Sequence, residues 1–117
     1  MDTEAFKQRT RSYALRVIRL VQALPKDLVS HRLGDQLLRS GTSVGANYRA
    51  AARAKSRADF ISKLGTVEEE CDESIYWMEL LMEAGLIPLK RLQSLMAEGT
   101  EILAMTVASI RTAKENK

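Results

Sequence analysis

The sequence predicts an all-α protein, an up-down-up-down bundle of four helices that forms one domain over residues 1–117. Three observations support this prediction. Apolar residues recur in steps of three and four along four segments, which is the period of one helix face. The connections between the segments are short, so consecutive helices should lie antiparallel. No segment shows the strict alternation of a strand.

The first two helices are predicted from their apolar stripes, a proline and a run of small residues. Pro25 ends helix one, because proline displaces the preceding residue from helical geometry. Helix two covers roughly residues 27–54 and contains Gly41 and Gly45, each of which costs about 1 kcal/mol relative to alanine. Helical spacing resumes afterwards, so we expect a continuous helix whose small face packs closely against a neighbour. The stripe of helix one is Phe6, Thr10, Tyr13, Val17, Leu20 and Leu24.

The last two helices carry their own start and stop signals. Ser56 and Asp59 have the spacing of a capping box, which starts helix three. Gly85 suits its C-terminal cap, and Pro88 suits the first turn of helix four. We expect helix four to end near residue 112 and residues 113–117 to fray. The stripes are Phe60, Leu64, Val67, Cys71, Ile75, Met78 and Met82, then Leu92, Leu95, Met96, Ile102, Leu103, Thr106 and Ile110.

Composition excludes several classes of protein. No apolar run approaches the roughly 20 residues of a membrane span, so no membrane contact is expected. The acidic start, residues 1–4, lacks the basic and apolar regions of a secretory signal, which predicts a cytoplasmic protein. Cys71 is the only cysteine and lies on an apolar stripe, so it should fill the core.

No chemistry of an enzyme can be assembled from these residues. Helical di-iron proteins place Glu-x-x-His pairs inward, whereas His31 is the only histidine and lies outside the acidic helix three. Most acids of that helix fall on the solvent side of its stripe. We therefore expect no catalytic residues, no metal and no cofactor.

Charge is distributed unevenly along the chain. Residues 1–65 hold 13 Lys and Arg against 5 Asp and Glu, while residues 66–117 hold 5 against 10. A basic surface of this kind can neutralise the phosphates of nucleic acid. Alternatively, the arginines pair with the acidic face of helix three, within one subunit or across an interface. The candidates are Arg9, Arg16 and Arg19, placed opposite the stripe of helix one, and Arg39, Arg49, Arg53, Lys55 and Arg57.

Two adjacent aromatic residues exceed what one bundle core needs. Tyr76 and Trp77 are neighbours on helix three, so one should flank the core while the other points outward. Aromatic side chains beside small-residue surfaces are common at oligomer interfaces. The predicted interface comprises Ser40, Ser43, Asn47, Tyr48, Tyr76 and Trp77.

Three stretches resemble a known family, namely LLRSGTSVGANYR at 37–49, SRADFISKL at 56–64 and YWMELL at 76–81. They resemble the bacterial four helix bundle protein family, which includes proteins encoded by intervening sequences of 23S rRNA genes. The chain is also similar in architecture to the accessory variability protein of diversity-generating retroelements. Relatives often carry an acid soon after the Asn47–Tyr48 pair, whereas Arg49 follows here and makes the surface more basic.

The resemblance implies a non-enzymatic homo-oligomer, a homopentamer ring, with a basic surface for nucleic acid such as rRNA. For the retroelement relatives it implies a reverse transcriptase and its RNA as partners. The leading hypothesis is therefore an oligomeric scaffold that binds structured RNA or RNA/DNA. The alternative is a protein-interaction adaptor whose charged faces serve self-assembly and partner docking.

Overall fold

The computed structural model describes residues 2–116, which form four α-helices joined by short connections. They are α1 (Thr3–Gln22), α2 (Leu28–Ala51), α3 (Arg57–Glu83) and α4 (Leu89–Glu115). Each helix packs against the next one in the chain, and α4 returns to α1 with a looser contact. The result is the predicted up-down-up-down bundle, a rod with dimensions of 50 × 21 × 20 Å.

The starts of α2 and α3 are capped by side chains close to the predicted positions, whereas α4 begins after Pro88 without a side-chain cap. Asp27 accepts a hydrogen bond from Ser30 N at 2.8 Å, and Ser56 Oγ accepts one from Asp59 N at 3.1 Å. The Asp59 carboxylate accepts a hydrogen bond from Lys55 N at 3.1 Å, whereas a standard capping box would use the N–H of the cap residue Ser56. The capping box is therefore displaced by one residue.

The helix ends show one confirmed prediction and one correction. Gly85 has a φ of +73°, and its N–H donates to Met82 O while Leu86 N donates to Leu81 O, both at 3.0 Å. This is a Schellman motif, which favours glycine. The predicted fraying from residue 113 is wrong, because α4 continues to Glu115. Residues 113–115 are Ala, Lys and Glu, which are strong helix formers. Lys117 lies outside the described residues.

The glycines of α2 lie inside a continuous helix, as predicted, and the close neighbour is α1 of the same chain. A Cβ added to Gly41 would come within 2.9 Å of both Cγ atoms of Val17, and one on Gly45 within 3.2 Å of Thr10 Oγ1. Glycine lowers the helix propensity at these positions, but the absence of a side chain allows α1 and α2 to approach closely.

The core of α3 contains one polar residue that the apolar stripe did not predict. Ser74 is fully buried, while Ile75 beside it is only partly buried. The Ser74 hydroxyl lies 2.8 Å from the Tyr13 hydroxyl and donates to Cys71 O at 2.7 Å, so its burial leaves no unpaired group. Sequence periodicity does not predict the burial of such a residue, because a buried hydroxyl depends on hydrogen-bond partners that only the tertiary structure supplies.

Cys71 fills the core, as predicted. Its side chain is fully buried, and its thiol donates to Gly99 O at 3.2 Å on the facing helix α4. Burial raises the pKa of the Cys71 thiol to about 12. The thiol is therefore protonated at neutral pH, as is typical of a structural cysteine in a core.

Candidate nucleic-acid interface

The predicted basic residues divide into a group paired within the chain and a group that is not. Arg9 of α1 holds Glu98 of α4 through two hydrogen bonds of 2.8 Å each, and its Nη2 also lies 3.2 Å from Glu101 Oε2. Arg16 of α1 donates to Ser94 Oγ of α4 at 2.9 Å. These two arginines therefore bridge α1 and α4.

The predicted position of Arg9 and Arg16 opposite the core is wrong. Both side chains flank the α1–α4 contact and are half-buried there. The hydrogen bonding between Arg9 and Glu98 lowers the pKa of Glu98 and raises the pKa of Arg9. The structural reason is the loose contact between α1 and α4, which leaves room for long side chains to span the gap.

The lowered pKa of Glu98 predicts how the bridge responds to pH. We expect Glu98→Gln to lower the free energy of unfolding by about 1 kcal/mol at neutral pH. A depressed folded-state pKa gives stability that is present above the ordinary value of 4.5 and lost as the pH falls through the folded-state value. Urea denaturation of both proteins across a pH series should show the difference shrink in acid, and a constant difference would contradict this account.

Arg39 is paired as well, with the acidic face of α3. Its guanidinium lies 3.0 Å from Glu70 Oε2 and also contacts Glu73. Trp77 Nε1 donates to the same Glu73 carboxylate at 3.0 Å. The sequence left open whether the arginines bind nucleic acid or pair with the acidic face of helix three. Arg39 pairs with helix three of its own chain.

Four other candidates are exposed and lie together at one end of the rod. We call this group the basic end; its residues lie at the end of α2, in the α2–α3 connection and at the start of α3. Within residues 2–116, no carboxylate oxygen lies within 4 Å of their side-chain nitrogens. The nearby Asp59 carboxylate is bound by Lys63 at 2.6 Å, which lowers the pKa of Asp59. The basic end consists of Arg49, Arg53, Lys55 and Arg57.

Arg19 does not belong to this end. It lies with Arg16, Leu20, Arg91 and Leu95 around a shallow depression between α1 and α4. That depression is at the other end of the rod, where α1 finishes and α4 begins. The sequence grouped Arg19 with the other arginines of α1, and the structure separates it from the basic end.

One functional candidate was missed by the sequence reasoning. Arg11 of α1 is exposed and lines a groove of about 380 Å³ that Arg49 of α2 lines from the other side. Its spacing from Lys7 puts both on one side of α1, but only the position of α2 shows that this side faces Arg49. The groove is lined by Glu4, Lys7, Gln8, Arg11, Ala14, Thr42, Gly45, Ala46 and Arg49.

Two predicted interface residues are buried in the core of their own chain. Ser40 is fully buried and its hydroxyl donates to Gln36 O at 2.9 Å. Tyr48 is 2% exposed and its ring packs edge-to-face on Phe6, with centroids 4.6 Å apart. Neither offers surface to a second copy, because both side chains are buried within their own chain.

The remaining interface candidates are accessible to different degrees. Ser43 and Asn47 are half-buried, and Asn47 Nδ2 donates to Ser43 O at 2.8 Å. Tyr76 is 50% exposed, and its ring lies edge-to-face on the partly buried Trp77 at 5.1 Å. The two aromatics therefore divide as expected, one beside the core and one facing outward, while their rings still touch.

The described residues show neither a metal site nor a membrane helix. Within residues 2–116, no three His, Cys, Asp or Glu side chains come together in a group that could hold a metal ion. None of the helices in this range has the length and apolarity needed to span a membrane.

Comparisons with known proteins agree with the fold. The model of the family described as "23S rRNA-intervening sequence protein" matches residues 3–108. A solved structure from Bacteroides thetaiotaomicron, described as a protein of unknown function from the S23 ribosomal protein family, is 37% identical with a TM-score of 0.83. The similarity covers 90% of this chain and 97% of that one. Among curated proteins no match is found. The chain thus belongs to the 23S rRNA-intervening sequence protein family.

Proposed function

We propose that this chain is a cytoplasmic, non-enzymatic scaffold that binds structured nucleic acid, RNA or an RNA–DNA hybrid, through the basic end. The observation that carries the proposal is the exposure of four cations within nine residues, none of which has a carboxylate within 4 Å in the described chain. A polyanion supplies the missing counter-charge, and the release of its condensed counterions favours binding.

Acids placed elsewhere in the same chain support this proposal. Asp72 and Glu79 of α3 are exposed, while Glu70 and Glu73 of the same helix are engaged by Arg39. These four acids thus lie along the rod, and Asp59, the acid of α3 beside the basic end, is bound by Lys63. Clustered like charges repel one another, so a surface of this kind is stabilised by an external anion.

The family description supports RNA as the first ligand to test, because it associates these proteins with 23S rRNA. A hairpin provides both a duplex stem and a single-stranded loop. Four phosphate contacts predict a log–log slope of affinity against salt of about −3 to −4. Fluorescence anisotropy across a salt series measures that slope, and no binding even at low salt would overturn the proposed function.

We also propose that the chain acts as a homo-oligomer, for which the homopentamer ring of the resemblance is the specific expectation. The half-exposed Tyr76, held against Trp77, is the observation that favours an association surface. It equally favours the alternative of an adaptor that docks a protein partner such as a reverse transcriptase.

Light scattering separates the scaffold from the adaptor. If the charged faces serve assembly, Arg49→Glu or Arg53→Glu dissociates the oligomer. If the basic end binds nucleic acid, either variant keeps the mass of the wild type and loses affinity for RNA. Lys90→Glu, which changes an exposed cation at the other end of the rod, is the matched control.

A further inference from the structure

The groove between α1 and α2 opens beside the basic end and has cationic walls. Lys7 and Arg11 stand on the α1 wall and Arg49 on the α2 wall, around a volume of about 380 Å³. Lys7 is engaged by Glu4 at 3.3 Å, so these two charges offset each other. Arg11 and Arg49 have no carboxylate within 4 Å among the described residues. The net charge of the groove therefore comes from two opposed guanidinium groups.

The floor of the groove is made of small residues. Ala14 of α1 and Gly45 and Ala46 of α2 line it, and none of them has a side chain larger than a methyl group. The helices are close here, since a Cβ on Gly45 would lie 3.2 Å from Thr10 Oγ1. The small side chains at these three positions therefore leave the groove open between the two helices.

Among the described residues, no aromatic side chain lines this groove. Phe6 and Tyr48 are at most 2% exposed. The half-exposed Tyr76 lies 19 residues beyond Arg57 on α3, about 28 Å at the helical rise of 1.5 Å per residue. Binding to single strands without sequence preference relies on aromatic platforms on which bases stack, and the lining of the groove has none among the described residues.

We infer that the α1–α2 groove seats the sugar–phosphate backbone of one nucleic-acid strand, with phosphates held between Arg11 and Arg49. The guanidinium fork matches the oxygens of a phosphate in a bidentate manner, so two arginines on opposite walls can hold consecutive phosphates. This inference rests on the proposed function and adds the groove and Arg11 to it. The cations of the α2–α3 connection then contact the same ligand where it leaves the groove.

A variant that fills the groove without changing any charge tests this inference. Ala46 is exposed on α2 and lines the groove, so Ala46→Leu obstructs it while all cations remain. Ala97→Leu makes the same change at an exposed position of α4 and is the matched control. With a labelled RNA hairpin as the probe, Ala46→Leu is expected to bind more weakly and Ala97→Leu as tightly as the wild type.

A second variant decides the question without depending on the first. Arg11→Gln is expected to make the salt slope shallower by about 1, the change for one lost phosphate contact. If the wild type binds the hairpin while both Ala46→Leu and Arg11→Gln leave affinity and slope unchanged, the groove is not the seat and the basic end alone binds. If the wild type does not bind at all, the proposed function itself fails.

Discussion

Reversing the charge of Arg49, Arg53 and Arg57 together is expected to weaken binding of an RNA hairpin by about a hundredfold or more at low salt. Each substitution removes a cation that contacts phosphate and replaces it with a repelling carboxylate. The combined loss is roughly 3 kcal/mol, which corresponds to about a hundredfold. Because these side chains are exposed and form no ion pair within the described chain, the unfolding midpoint should change little.

The matched control moves the same charge change to the other end of the rod. Arg32, Lys90 and Arg91 are exposed near the starts of α2 and α4, at the end of the rod that holds the α1–α2 and α3–α4 connections. Converting all three to Glu gives the same net charge as the first variant. Fluorescence anisotropy should show nearly wild-type affinity for this control. Equal losses in the two triple variants would mean that net charge, and not the basic end, determines binding.

Gly41→Leu is expected to destabilise the bundle by roughly 3 kcal/mol or more, because overpacking a close helix contact forces backbone and side-chain shifts. A Cβ at this position would already lie 2.9 Å from both Cγ atoms of Val17, and a leucine adds three further carbons. Val17 is fully buried and β-branched, so one χ1 rotamer is strongly preferred and the side chain has little freedom to move aside. Urea denaturation measures the loss as a lower midpoint.

Gly65→Leu provides the matched comparison within a helix. No atom lies within 4 Å of a Cβ built on Gly65, so leucine meets open space there. Replacing a glycine in a helix interior by leucine then gains roughly 0.5–1 kcal/mol from helix propensity. The two substitutions should change stability in opposite directions. A similar loss in both would show that glycine is required for a reason other than the contact between α1 and α2.

Local physical chemistry explains why the helices could be predicted from sequence. Pro25, the Ser56 cap and Gly85 act through the backbone of their own neighbours, so their effects can be read without knowledge of the fold. The position of Cys71 on an apolar stripe likewise predicts burial from helical periodicity alone. The excess of positive charge in residues 1–65 is also a property of the sequence alone.

Tertiary structure decided which of the basic residues remain available to a ligand. Arg9 meets acids of α4 that are 89 and 92 positions away in the chain, and Arg39 meets acids of α3 that are 31 and 34 positions away. Arg11 faces Arg49 only because α2 packs on that side of α1. The sequence determined the four helices, the cap at Ser56, the helix end at Gly85 and the basic character of the first half. Ion pairing acts over a few ångströms in space, so only the packing of the four helices could separate the paired arginines from the unpaired ones.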